Sequence, residues 1–299
     1  MRGPRCVLAF LRGMTVLPYA RAGLLLVTLS LLPGPCSSQR DTTVYRLYPW
    51  ADAALCAAGL AGTIGGLMLQ EEIGPLSEEL LLGLDPGRVP GFDRVALRID
   101  PTSQGRAVAN SDLVLNIAAG APLLLGLDKR VRKEWLTLAT LYAESALLTG
   151  SIQTLTNTAL PRYRPIAYIP SATMEQRTDY RNVNSFYSGH TANTAVATFF
   201  MAKVLDDLHP ELGTKRWLLY VGALLAPALA GYYRIQGGKH FPSDVIVGAI
   251  MGGAGGVLVP HLHLRKRSER LTVIPFALPG GAGVGLVYRP KGTINFASP

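Results

Sequence analysis

The chain has 299 residues, 48% of them apolar and only 16% charged, with a net charge of +9. A charged fraction well under the quarter or so of a typical soluble domain, with a mean hydropathy of +0.24, points to a membrane or to a very helix-rich interior. The positive charge sits in short clusters with no long basic stripe, which argues against nucleic-acid binding, and Cys6, Cys36 and Cys56 have neither metal-ligand spacing nor a disulfide framework.

Residues 1–38 read as an export signal: Arg2, Arg5, Arg12 and Arg21 precede the apolar run Ala22 to Leu32, and small residues follow at Pro33 to Ser38. An uncleaved anchor is the alternative, with a run short for spanning. Lipoprotein processing at Cys36 is disfavoured by Pro35 before it. Residues 39–112 read as an N-terminal helix followed by an exposed acidic connector. Ala53 to Leu69 is rich in alanine and glycine and suits either a weak spanning helix or a packed one outside the bilayer. Gln70 to Asp112 holds eight acidic and four basic residues, broken by Pro75, Pro86, Pro90 and Pro101.

Residues 113–264 form the helical core. Leu113 to Leu127, Trp135 to Leu160, Thr191 to Leu205, Trp217 to Tyr233 and Val245 to Leu264 are each of helix length. Glu144, Gln153, Asn157 and Lys203 require two of these helices to face protein or water on one side. The expected fold is all-α, a bundle of five or six helices. A polytopic membrane bundle is favoured over a soluble periplasmic domain. The basic clusters 128–134 and 265–270 belong in the cytoplasm by the positive-inside rule, which puts 161–187 and 234–244 together outside. A cleaved signal leaves the mature N-terminus outside, and this fits only if Ala53 to Leu69 does not cross. Residues 265–299 hold a basic loop and an irregular tail or short hairpin.

Three polar constellations share the outer ends. Arg162-Tyr163-Arg164-Pro165 closes one helix, Ser188-Gly189-His190 opens the next, and Arg234 through Lys239-His240 to Asp244 links another pair. Gly189 permits close approach of a ligand to a helix N-terminus, whose free amides suit an anion. Arginine forks match phosphate oxygens, so Arg164 and Arg234 form a candidate clamp. Asp244, four residues after His240, is placed to accept from one imidazole nitrogen and leave the other as nucleophile, with His190 as proton donor. Each residue also has a plain structural reading: snorkelling arginines, a core histidine, a helix-capping aspartate.

These residues resemble the type 2 phosphatidic acid phosphatase (PAP2) superfamily, related to vanadium haloperoxidases and bacterial class A acid phosphatases. The resemblance covers about residues 110–262. Arg164-Pro165 matches the end of its first motif, Ser188-Gly189-His190 most of the second, and Arg234, His240 and Asp244 the spacing of the third. Asn157 stands where the family has lysine, Tyr187 where it has proline before Ser188, and Tyr233 where it has serine before Arg234. The resemblance implies metal-independent phosphomonoester or pyrophosphate hydrolysis without a cofactor, with vanadate able to mimic phosphate. His240, oriented by Asp244, attacks phosphorus and forms a phosphohistidine. Arg164, Arg234, Ser188 and Gly189 hold the oxygens with Asn157, His190 protonates the leaving group, and Arg162 and Lys239 are auxiliary cations. The missing lysine implies reduced activity, a changed substrate, or a dead relative that binds phospholipid. The expected partners are a phosphorylated lipid and a membrane in a bacterial-type envelope, with the site facing the periplasm.

Overall fold

The structure, a computed structural model, describes residues 43–265 together with 271–278 and 281–288. The leader at 1–38 and most of the second basic cluster lie outside the described residues. Among the described residues, six long helical passes build the first unit. They are α1 (Pro49–Glu71), α2 (Gln104–Gly120, prolonged by 3-10 turns over Ala121–Leu127), α3 (Trp135–Ala159), α4 (Gly189–Leu208), α5 (Trp217–Ala223) running into α6 (Leu225–Gln236), and α7 (Pro242–Leu262). The expected all-α bundle is therefore present. A separate unit holds an antiparallel hairpin, β1 (Leu271–Leu278) and β2 (Gly281–Tyr288), in the register Leu271 to Tyr288.

Helix α4 is the axis of the bundle. Its buried residues Ala192, Ala195, Val196, Phe200 and Val204 face neighbours on several sides. Helix α7 lies against it through Gly248, Gly252 and Gly256, spaced four apart on one face. A methyl group at Gly248 would come within 2.6 Å of the Ser188 carbonyl, and one at Gly256 within 2.6 Å of the Val196 carbonyl. Only glycine lets the two backbones approach this closely, and such small-residue stripes are how helices pack in lipid. Helix α1 lies alongside α3 in the same direction, Gly59 against Leu147 and Gly66 against Thr154.

Among the described residues, four stretches are long and apolar enough to cross a membrane: Pro49–Glu71, Pro101–Leu127, Pro210–Gln236 and Pro242–Leu262. Large apolar side chains such as Ile117, Leu123, Leu225, Ile250 and Leu258 point outward, as lipid-facing residues do. The bundle has two chemically distinct ends. At one, Val44 and Tyr45 donate their amides to Glu134, the Tyr45 hydroxyl donates to Asp207, and Arg130 donates to the Leu208 carbonyl. At the other, the three polar constellations meet. Helix α1 starts at the first end.

Most of the connector 70–112 is exposed, but a few of its residues are buried. Leu81, Val89 and Ala96 are buried, Asp93 is 2% exposed, and the segment folds into short turns packed over the polar end. Helix α2 also begins nine residues before Leu113, because Pro101 starts a helical turn that runs directly into it.

Candidate active site

Three loops are laced together at this end by backbone hydrogen bonds. Arg162 N–H donates to the Val183 carbonyl at 2.8 Å, Ser185 N–H returns one to Arg162 at 2.9 Å, and Arg164 N–H donates to Asn182 at 2.7 Å. Ile166 N–H reaches Gly238 at 3.1 Å, where a φ of 63° makes the sharp turn that glycine tolerates. Ser188 N–H donates to the Asp244 carbonyl at 3.1 Å and so locks the start of α4 to the start of α7.

Side chains from each loop then converge. His240 is buried, and its Nδ1–H donates to the Ser185 carbonyl at 2.7 Å. That bond fixes the tautomer and leaves Nε2 with its lone pair. Burial drives the His240 pKa well below its usual value, and the charges of Arg234, Arg164 and His190 push the same way. Arg164 is itself pushed down to about 9, first by burial and then by Arg234. Its Nη2 donates to the Asn184 carbonyl at 3.5 Å, and Arg234 Nη1 donates to Ser111 at 3.4 Å.

The Nε–H groups of Arg164 and Arg234 are buried with no acceptor. Two buried guanidinium groups, each with a spare donor, form an environment that an oxyanion would relieve. Further orphaned polar atoms belong to the same loops: both side-chain atoms of Asn184 and the Tyr187 hydroxyl.

The geometry alters the role expected of Asp244. Its Oδ2 is 3.9 Å from His240 Nδ1, beyond hydrogen-bonding distance, because the Ser185 carbonyl has taken that proton. Asp244 instead accepts from Ser185 Oγ at 2.6 Å, from Phe241 N–H at 2.9 Å and from Arg162. It orients His240 indirectly, by bracing the segments on either side of it. Arg162 does not reach in as a substitute for the lysine. It is held by Asp244, Ser243 and Asp93 and stacks on the Phe241 ring, 4.4 Å from its centre.

Ser188 is fully buried and caps α4, its Oγ 3.0 Å from Thr191 Oγ1. Gly189 packs on Gln153, and Asn157 is buried on α3 with its Oδ1 unpartnered. Lys239 lines a cleft of about 650 Å³ with Gln104, Gln176 and Asp179. Burial and the Arg164 charge push it down to about 8.

Several contributors were not legible in the motifs. Asp112 on α2 accepts from His190 Nε2 at 2.7 Å and lies 4.0 Å from Arg234. Ser185 holds both His240 and Asp244, and Asp93 holds Arg162. Ser185 lies three residues before Ser188, near enough to a motif to be suspected. Asp93 and Asp112 gave no signal beyond their charge.

Residues 134–268 match the family model of the PAP2 superfamily. That segment takes in helices α3 to α7 of the bundle. The first two of its constellations and the third all fall within the matched PAP2 segment. No curated protein matches the chain. Among solved structures it is similar to one described as the first transmembrane PAP2 type phosphatidylglycerolphosphate phosphatase from Bacillus subtilis. The identity is 19%, the TM-score is 0.39, and the likeness covers 69% of this chain and 95% of that one.

Proposed function

We propose that the protein is a membrane-embedded phosphatase that hydrolyses a phosphomonoester or pyrophosphate on a lipid through a phosphohistidine. The observation that carries this reading is the pair of buried Arg164 and Arg234 donors without acceptors beside a neutral His240. A phosphoryl group there would satisfy both guanidinium forks and present phosphorus to Nε2. The N–P bond forms as the bond to the leaving oxygen breaks, and His190 passes its proton to that oxygen. His190 then takes a proton from water, which attacks the phosphohistidine, releases phosphate and restores the imidazole. Catalysis of this kind is mostly positioning and charge stabilisation.

The lipid assignment rests on the outward apolar surface of the four long helices and on a site at their ends. With the basic loops in the cytoplasm, the site faces the exterior. Helix α1 then starts inside, next to Glu134. A leader crossing once with its arginine-rich end inside would put Val44 outside, so that orientation and a crossing leader exclude each other.

The test is purified protein with a panel of phosphatidic acid, phosphatidylglycerol phosphate, isoprenyl pyrophosphate and lipid A. Phosphate release that survives chelator and disappears in His240→Ala supports the proposal. Lipid binding without release would instead make the chain a non-catalytic relative, the reading that Asn157 in the lysine position favours.

A further inference from the structure

A second polar cluster lies at the opposite end of the bundle, roughly 30 Å away along α7. Asp52 from the first turn of α1, Glu144 from α3 and His263 just past α7 are 2%, 2% and 7% exposed. One ligand atom from each lies within 4.8 Å of the others. His263 Nε2 is 3.1 Å from Asp52 Oδ1 and 3.9 Å from Glu144 Oε2.

We propose that these three residues form a structural site for a divalent transition-metal ion of the zinc class. Four observations support it. Glu144 Oε2 is buried, turned toward the imidazole, and has no hydrogen-bond partner. His263 Nδ1–H donates to the Val259 carbonyl at 2.7 Å, which directs Nε2 at the two carboxylates, as the outer bond of a metal-bound histidine does. Asp52 is likewise held from behind, its Oδ2 accepting from Tyr48 N–H at 2.8 Å. The spacings bracket the edge of a tetrahedron of nitrogen and oxygen ligands around zinc, about 3.3 Å for bonds of about 2.0 Å.

Charge favours a metal over a single shared proton. Two buried carboxylates sharing one imidazolium keep a net charge of −1 and an unpaired oxygen, which is costly away from water. A divalent ion with neutral imidazole brings the cluster to zero and gives Glu144 Oε2 its partner. The ion would clamp the start of α1 and the end of α7 to α3, elements far apart in sequence.

The test uses the full chain purified in detergent, with zinc measured by mass spectrometry and melting followed with and without chelator. The expected result is about one zinc per chain, a melting temperature that falls by several degrees on chelation and returns with zinc, and loss of both effects in Glu144→Gln and His263→Gln. Should those variants fail to fold, cobalt in the wild-type protein serves: intense visible bands of tetrahedral coordination support the site, and a weak octahedral spectrum overturns it. Absence of stoichiometric metal from the wild type, or zinc retention unchanged in both variants, would overturn it as well. The outcome is separable from that at the phosphate site. His240→Ala should keep its zinc, and metal-stripped protein assayed in the cold should still release phosphate.

Discussion

The imidazole of His240 donates to the carbonyl of Ser185 at 2.7 Å, while Asp244, four residues on, stops 3.9 Å short. The carboxylate thus acts on the nucleophile through the segments that hold it. Ser185→Ala keeps the carbonyl and should lower kcat by no more than about tenfold. Asp244→Ala removes acceptors from Ser185, Phe241 and Arg162 together. It should cost about 2 to 3 kcal/mol of stability, less than a fully buried pair would lose because Arg162 keeps a quarter of its exposure, along with a larger fall in kcat. Parallel melting and rate measurements check both.

Asp112 accepts from His190 Nε2 at 2.7 Å and so orients the ring that hands its proton to a leaving alcohol. Asp112→Asn should slow alkyl phosphates by about 10- to 100-fold. Aryl phosphates, whose leaving groups need little protonation, should be slowed far less. Equal losses on both substrates would assign Asp112 a purely structural role.

Lys239 carries its charge only below about 8, because burial and Arg164 lower its pKa from the usual lysine range. The affinity for sulfate, whose own charge is constant there, should fall as pH rises through 8. Lys239→Gln should bind more weakly at pH 7 and lose that dependence. Stability runs the other way: between about 8 and the ordinary lysine value the unfolded chain holds a proton that the folded chain does not, so stability rises with pH in that window.

Gly248 faces the Ser188 carbonyl where α7 crosses the start of α4. Gly248→Val should cost about 1 to 3 kcal/mol and, by displacing the loop that carries His190, reduce activity in the molecules that remain folded. Gly65, with open space around its Cα, should accept alanine without loss.

The helices were legible because long uncharged runs have little else to do, and the three constellations because their spacing is rigid. At residues 70–112 six of the eight acids are exposed and Asp112 is half-buried, so Asp93 is the one that composition could not single out. Asp93 is buried because Arg162 and Ser243 meet it there, a pairing across many residues that leaves no local trace. The role of Asp244 was misjudged for a related reason: the four-residue spacing to His240 is real, but a nearer backbone carbonyl takes the proton. The glycine stripe of α7 was readable at intervals of four, yet only the packing shows which helix it faces.

The central claim is that phosphorus is transferred to His240. Brief incubation with a labelled substrate, quenched in alkali and digested for mass spectrometry, should give a phosphorylated peptide containing His240, stable to base and labile to acid, and absent from His240→Ala. Turnover with no such adduct, or an adduct on another residue that persists in His240→Ala, would contradict the account.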